Sequence, residues 1–163
     1  MGLDEREGLR MRRGITFEIP NAYGNYLLDI LEPLSALELF WSIEEQEIYT
    51  VQGDSLSDTL LFPNNTTIEN KPFWKALEEN EYYIIFSDLK AYSTSSIGMV
   101  NTYSDFLQSN CQMVLLIADC TIVTIYCKNP HLLEALYNQV VAKAFNNIEF
   151  ITNENDTRAH LSN

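Results

Sequence analysis

Carboxylates are the most abundant side chains able to do chemistry here: 23 Asp and Glu stand against ten Lys and Arg in 163 residues, a formal net charge of -13. Glu44, Glu45 and Glu47 form the densest cluster, and Asp54 and Asp58 follow in a polar stretch. No Lys or Arg occurs between residues 14 and 70, where ten acids lie. Local partners therefore cannot neutralise them, and they set up a negative field on any face they share. Such a face attracts basic partners and makes association salt-sensitive. These five acids are the candidate partner-binding residues. The runs around Asp54 and Asp58 and from Glu154 to Asp156 have oxygen donors of the kind Ca²⁺ or Mg²⁺ takes. Asp54 and Asp58 nevertheless miss the alternating ligands and late Glu of an EF-hand, so no metal is assigned. A glycosidase would need one of two carboxyls raised in a cleft, and no spacing singles out such a pair.

Other reactive groups are sparse. The two His are His131, at a helix start, and His160, in the polar tail. Cys111, Cys120 and Cys127 fit neither a CxxC redox motif nor a zinc ribbon. Cys111 and Cys127 are able to approach across a hairpin, but without a nearby His they read as small buried thiols. There is no G-x-S-x-G elbow, no glycine-rich phosphate loop and no H-E-x-x-H. No catalytic residue and no cofactor are assigned, and the reading leans against an enzyme. Among the aromatics, Trp41, Tyr49, Trp74 and Tyr92 are candidates for a pocket, with Arg158 as its charged member. Arg158 is the sole Arg after residue 13. It is expected to pair with Asp156 and clamp the tail.

The length favours one domain of the usual ~100–200 residues, and 46% hydrophobic residues suffice for a core. The acidic balance excludes the basic footprint of a nucleic-acid binder and docking on anionic membranes. No run of ~18 apolar residues is present. Residues 1–10 lack the apolar centre of a secretory signal and are set aside as an extension, with Met11 as the expected natural start. The low, odd cysteine count points to a reducing compartment, hence the cytoplasm.

The positioning elements follow from periodicity. Residues 14–19 alternate as a half-buried strand ending at Pro20. Asn21 caps an expected helix over 22–32, ended by Pro33. Residues 40–43 and 48–51 read as strands of a hairpin whose acidic tip is Glu44-Glu45-Gln46-Glu47. Residues 52–67 read as a long loop. A short helix over 71–80, a strand over 82–86 and a Ser/Thr-rich connection over 92–99 follow. Thr102 caps a helix to about Gln108, with Asp105 completing a capping box. Residues 113–118 and 121–127 form the clearest hairpin; both runs are nearly continuously apolar and belong at the centre of a sheet covered on both faces. A helix over 131–145, a strand over 148–151 and a polar tail close the chain. This pattern predicts a single α+β domain, a mainly antiparallel sheet with helices packed against it.

Three segments, Met11-Arg12-Arg13-Gly14-Ile15-Thr16-Phe17-Glu18-Ile19-Pro20, Tyr103-Ser104-Asp105-Phe106-Leu107-Gln108-Ser109-Asn110-Cys111 and Glu154-Asn155-Asp156-Thr157-Arg158, carry a resemblance. From about Met11 onward the chain resembles a family of small uncharacterised proteins from Bacillus and its relatives. The resemblance implies a bacterial cytoplasmic protein of unknown function and transfers no functional residue. The residues themselves point to a non-enzymatic interaction module, inhibitor- or immunity-like, that presents an acidic face to a basic protein partner. The alternative is a small-molecule binding domain with an aromatic-lined pocket, and a carboxylate-based enzyme is the third reading. Monomer and homodimer both stay open, since sheet-edge strands can pair.

Overall fold

The computed structural model describes residues 11–163; the extension expected over 1–10 lies outside the described residues. The strands are β1 (Arg12–Glu18), β2 (Phe40–Gln52), β3 (Ser55–Leu60), β4 (Thr66–Glu69), β5 (Tyr82–Tyr92), β6 (Cys111–Ala118), β7 (Ile122–Cys127) and β8 (Asn146–Thr152). The helices are α1 (Tyr26–Leu31), α2 (Asn70–Glu79), α3 (Tyr103–Gln108) and α4 (Pro130–Ala142). The strands form one sheet in the order β3-β2-β5-β6-β7-β1-β8, with β4 also on β2, and every strand pairing is antiparallel. The chain is thus an α+β domain.

The central hairpin shows why its sequence is apolar throughout. Met113, Leu115 and Ile117 of β6, with Val123, Ile125 and Cys127 of β7, join one core with Leu27 and Ile30 of α1, Phe73 and Leu77 of α2 and Leu136 of α4. The alternate residues Val114, Leu116 and Tyr126, with Cys111 beyond a register shift, join a second core on the opposite face, with Phe106 of α3, Val100 and Leu161. Side chains alternate across a strand, so a strand covered on both sides needs apolar residues at both parities. Between β6 and β7, Asp119 (φ 52) and Cys120 (φ 67) adopt the left-handed region. Polar Asp visits it readily, whereas Cys stores strain there.

Three expectations are corrected. Residues 44–47 are not a hairpin tip: β2 runs unbroken through them because β5 pairs along its length, with Glu45 opposite Asp88 and Glu47 opposite Phe86. The stretch 52–67 is not one long loop. Gly53 (φ 64) starts a two-residue turn between Gln52 and Ser55, which favours glycine, and β3 and β4 then pair with β2. The helix expected over 22–32 begins only at Tyr26. Gly24 instead exchanges both backbone hydrogen bonds with Tyr82, at 3.0 Å each, which holds this segment extended. Thr102 caps α3 as expected, accepting from the Asp105 N–H while the Asp105 carboxylate accepts from the Thr102 N–H. Hydrogen bonds from Thr102 and Asn101 hold the Asp105 carboxyl below its ordinary range.

Candidate interaction face

The face away from α1, α2 and α4 carries the chain's distinctive charges, and a β-bulge puts them there. Trp41 and Ile43 of β2 lie in the helix-side core, and so does Ile48, while buried Gln46 bonds Phe62 O and the Ile48 N–H. The inward parity therefore switches from odd to even between Ile43 and Gln46. The pairing with β5 shifts at the same place, between Ile43 and Glu45. Two residues of a bulged strand oppose one of its partner, so Glu44, Glu45 and Glu47 all project on the face away from α1, α2 and α4.

The three acids have different surroundings. Glu44 accepts from Lys90 at 2.8 Å, and Asp88 accepts from the same ammonium at 2.7 Å. Lys90 is 0% exposed. Burial raises the Asp88 carboxyl above its ordinary range, opposed by the bond to Lys90 and its charge. Glu45 is exposed, and Glu47 is half-buried and accepts from Tyr49 OH at 3.4 Å. Glu45 lines a recess of about 480 Å³ with Ile85, Phe86, Ala118, Asp119, Cys120 and Asn163. Two acidic residues and three apolar ones thus line it, and no Lys or Arg does. Asp54, in the β2–β3 turn, and Asp58, on β3, are exposed. Neither lines the recess.

Residues 153–163 strap this face. Leu161 is buried in its core, its N–H donates to Asn101 O at 2.8 Å, and Asn163 Nδ2 donates to Ser87 O at 2.7 Å and Ile117 O at 3.0 Å. The expected Asp156–Arg158 pair is replaced by one from the far end of the chain. Arg13 Nη1 lies 3.1 Å from Asp156 Oδ2, its guanidinium stacks 4.1 Å from the Tyr103 centroid, and Tyr126 OH donates to Asp156 Oδ1 at 2.9 Å. Arg158 instead donates to Ser162 O at 2.8 Å. It lines a second cavity, of about 250 Å³, beneath the strap.

The five pocket candidates do not meet in one cavity. Trp41 is fully buried, stacked on Phe73 with centroids 3.8 Å apart. Its indole N–H and that of Trp74 both donate to Asn70 Oδ1, at 3.0 and 3.1 Å. Trp74 edges a separate groove between 35 and 78. Tyr92 is buried and donates to Gly98 O, and Tyr49 stays with Glu47. Cys111 and Cys127 are free and buried in opposite cores. His131 is exposed in the first turn of α4, and His160 is exposed in the strap. Among the described residues no three His, Cys, Asp or Glu side chains gather as a metal ion requires. Lys90, Asp88, Asp119 and Arg13 are the members of this face that sequence reasoning missed. The alternation Ser87-Asp88-Leu89-Lys90-Ala91 was the available signal for the first two.

Among the described residues no helix is long and apolar enough to cross a membrane. Comparison with known proteins matches residues 12–162 to the family described as "Protein of unknown function (DUF2691)". The chain is 42% identical over 153 residues to the uncharacterized protein YncE of Bacillus subtilis (strain 168), covering 93% of this chain and 99% of that protein. No solved structure matches it.

Proposed function

This chain belongs to the DUF2691 family of proteins of unknown function, and we propose, from its own site, a non-enzymatic interaction module that presents an acidic face to a basic protein partner. An inhibitor- or immunity-like role in the cytoplasm suits this chemistry, and three free thiols fit a reducing setting. The observation that carries the reading is the recess in which Glu45 and Asp119 flank Ile85, Phe86 and Ala118. Its shape and charge suit a Lys or Arg side chain: the aliphatic stem packs on the apolar wall while the cation meets the carboxylates. Lys90 does not offset this field at the surface, because its charge is buried and paired. Glu47 adds to the field from the same side of β2.

The test is a titration of the ¹⁵N-labelled protein with a short arginine-containing peptide. Saturable shifts concentrated at Phe86, Ala118 and Asp119 are expected. They should weaken in Glu45→Gln with Asp119→Asn, and at about 1 M salt, where the Debye length falls to about 3 Å. Equal, diffuse shifts at all exposed acids, unchanged by the double substitution, would refute the reading.

A further inference from the structure

We propose that the cavity beneath the 153–163 strap binds a small carboxylate that also carries an amino group, with Arg158 as the anchor of the carboxylate. Its volume of about 250 Å³ lies below the roughly 300–1,000 Å³ of pockets for drug-sized ligands, so its ligand is small. The sheet contributes Thr16, Thr124, Tyr126 and Glu149, and the strap contributes Asp156 and Arg158.

The charges in this cavity are not equivalent. Asp156 is already satisfied: its side chain is 4% exposed and pairs with Arg13. It also accepts from Tyr126 OH and from the Arg158 N–H at 3.2 Å. Arg158 makes no ion pair with any described residue, and Nη1 is the side-chain nitrogen that bonds within the chain, to Ser162 O. A guanidinium has five N–H donors in a planar fork that matches a carboxylate, so most of its donors stay open to a ligand. Glu149 lines the same cavity and is exposed. It makes no ion pair with Arg158, leaving the two opposite charges apart.

Among the described residues, one cation and one anion without an ion pair share this small cavity, and such a pair selects a zwitterion. The ligand carboxylate sits on Arg158 and its ammonium faces Glu149. A dianionic phosphate would gain one guanidinium and meet the negative field of Glu149 and Asp156. Ile151, on the cavity side of β8, offers a short apolar side chain a contact. No residue that lines this cavity lines the recess of Glu45 and Asp119. The two proposals therefore stand or fall separately.

The experiment is an NMR titration of the ¹⁵N-labelled full chain with L-alanine and L-serine, set against acetate, ethylamine and inorganic phosphate. Saturable shifts at Thr124, Glu149 and Arg158 are expected with the amino acids. Affinity should fall at least tenfold in Arg158→Gln and less in Arg158→Lys, while Glu149→Gln should erase the preference for amino acid over acetate. The strap keeps its Leu161, Asn163 and Asp156 anchors in these variants, and unchanged shifts at Leu161 check that it remains docked. The proposal is overturned by no saturable shift with either amino acid, by binding that survives Arg158→Gln, or by phosphate binding better than alanine.

Discussion

Lys90 is a fully buried cation between two carboxylates, and its removal has a computable consequence. Lys90→Met keeps the aliphatic stem and deletes the charge. Glu44, with a side chain 39% exposed, then turns to water. Asp88, at 8%, stays in the sheet. Removing one partner of a buried ion pair costs about 3–5 kcal/mol, because an uncompensated charge is left behind. Here one carboxylate is rehydrated and the other is able to take up a proton. The expected loss is therefore near the bottom of that range, about 3 kcal/mol at neutral pH, a large share of the ~5–15 kcal/mol that stabilises an ordinary domain.

The pH dependence fixes the mechanism. In the native protein burial raises the Asp88 carboxyl, Glu44 and Glu45 push it the same way, and Lys90 holds it down. The variant loses the opposing influence, so the carboxyl rises further. A carboxyl whose folded pKa exceeds its unfolded value binds protons more tightly when folded. It therefore destabilises the fold above its folded pKa, and this loss is relieved as pH falls through that pKa toward the unfolded value. Urea unfolding followed by fluorescence of Trp41 and Trp74 should show the full deficit of Lys90→Met at about pH 8 and a smaller one at about pH 5. Adding Asp88→Leu should restore much of the loss at the higher pH, since removing both charges leaves none stranded. A deficit below about 1 kcal/mol at both pH values, or one that grows on acidification, would refute the reasoning.

Other outcomes follow from single contacts. A Cβ at Gly14 would stand 1.8 Å from Ile125 O, a backbone atom that cannot swing aside. Gly14→Ala should thus lose about 2–3 kcal/mol, read as a fall in melting temperature of about 2–4 °C per kcal/mol. Thr102→Ala removes half of the capping box of α3 and should cost about 1 kcal/mol in urea unfolding. Burial pushes the Cys111 and Cys127 thiols up to about 12. A thiol reagent should therefore modify Cys120 quickly and the other two only on unfolding, and three equally fast thiols in the native protein would contradict that placement.

The parts of the fold that were legible are those where one local rule acts alone. The β6–β7 hairpin announces itself because burial on both faces leaves almost no polar position in either strand. The capping box of α3 is local too, with both its hydrogen bonds between Thr102 and Asp105, three positions apart. What was not legible depends on partners far along the chain. The Arg13–Asp156 pair joins residues separated by 143 positions, and nothing near either of them signals the other; neighbouring Arg158 was the plausible but wrong partner. Strand β3, Ser-Leu-Ser-Asp-Thr-Leu, has weak intrinsic preference and becomes a strand because β2 offers it an edge. At the candidate site the acids were visible as a cluster, but their arrangement on one face was not.

That arrangement turns on one inserted residue. Without a bulge, the parity set by Trp41 and Ile43 would carry Glu45 and Glu47 into the helix-side core and send Gln46 outward. Two unpaired carboxylates among Trp41, Phe62 and Phe73 could not be tolerated in a low-dielectric core. A tight turn at 44–47 is one escape, and it is what local propensity suggests. The chain takes the other: the bulge at Glu44 reverses the parity, Gln46 turns inward to satisfy Phe62 O and the Ile48 N–H, and the carboxylates face out within about 10 Å along the strand at ~3.3 Å per residue. Lys90 then neutralises the extra residue, Glu44, at the point where the bulge opens the ladder. The same device that makes an acidic segment foldable as a central stretch of strand also leaves Glu45 and Glu47 on one surface without an ion pair among the described residues, with Asp119 of the neighbouring hairpin at the same recess. The foldability of this segment and the outward placement of Glu45 and Glu47 therefore have one structural cause.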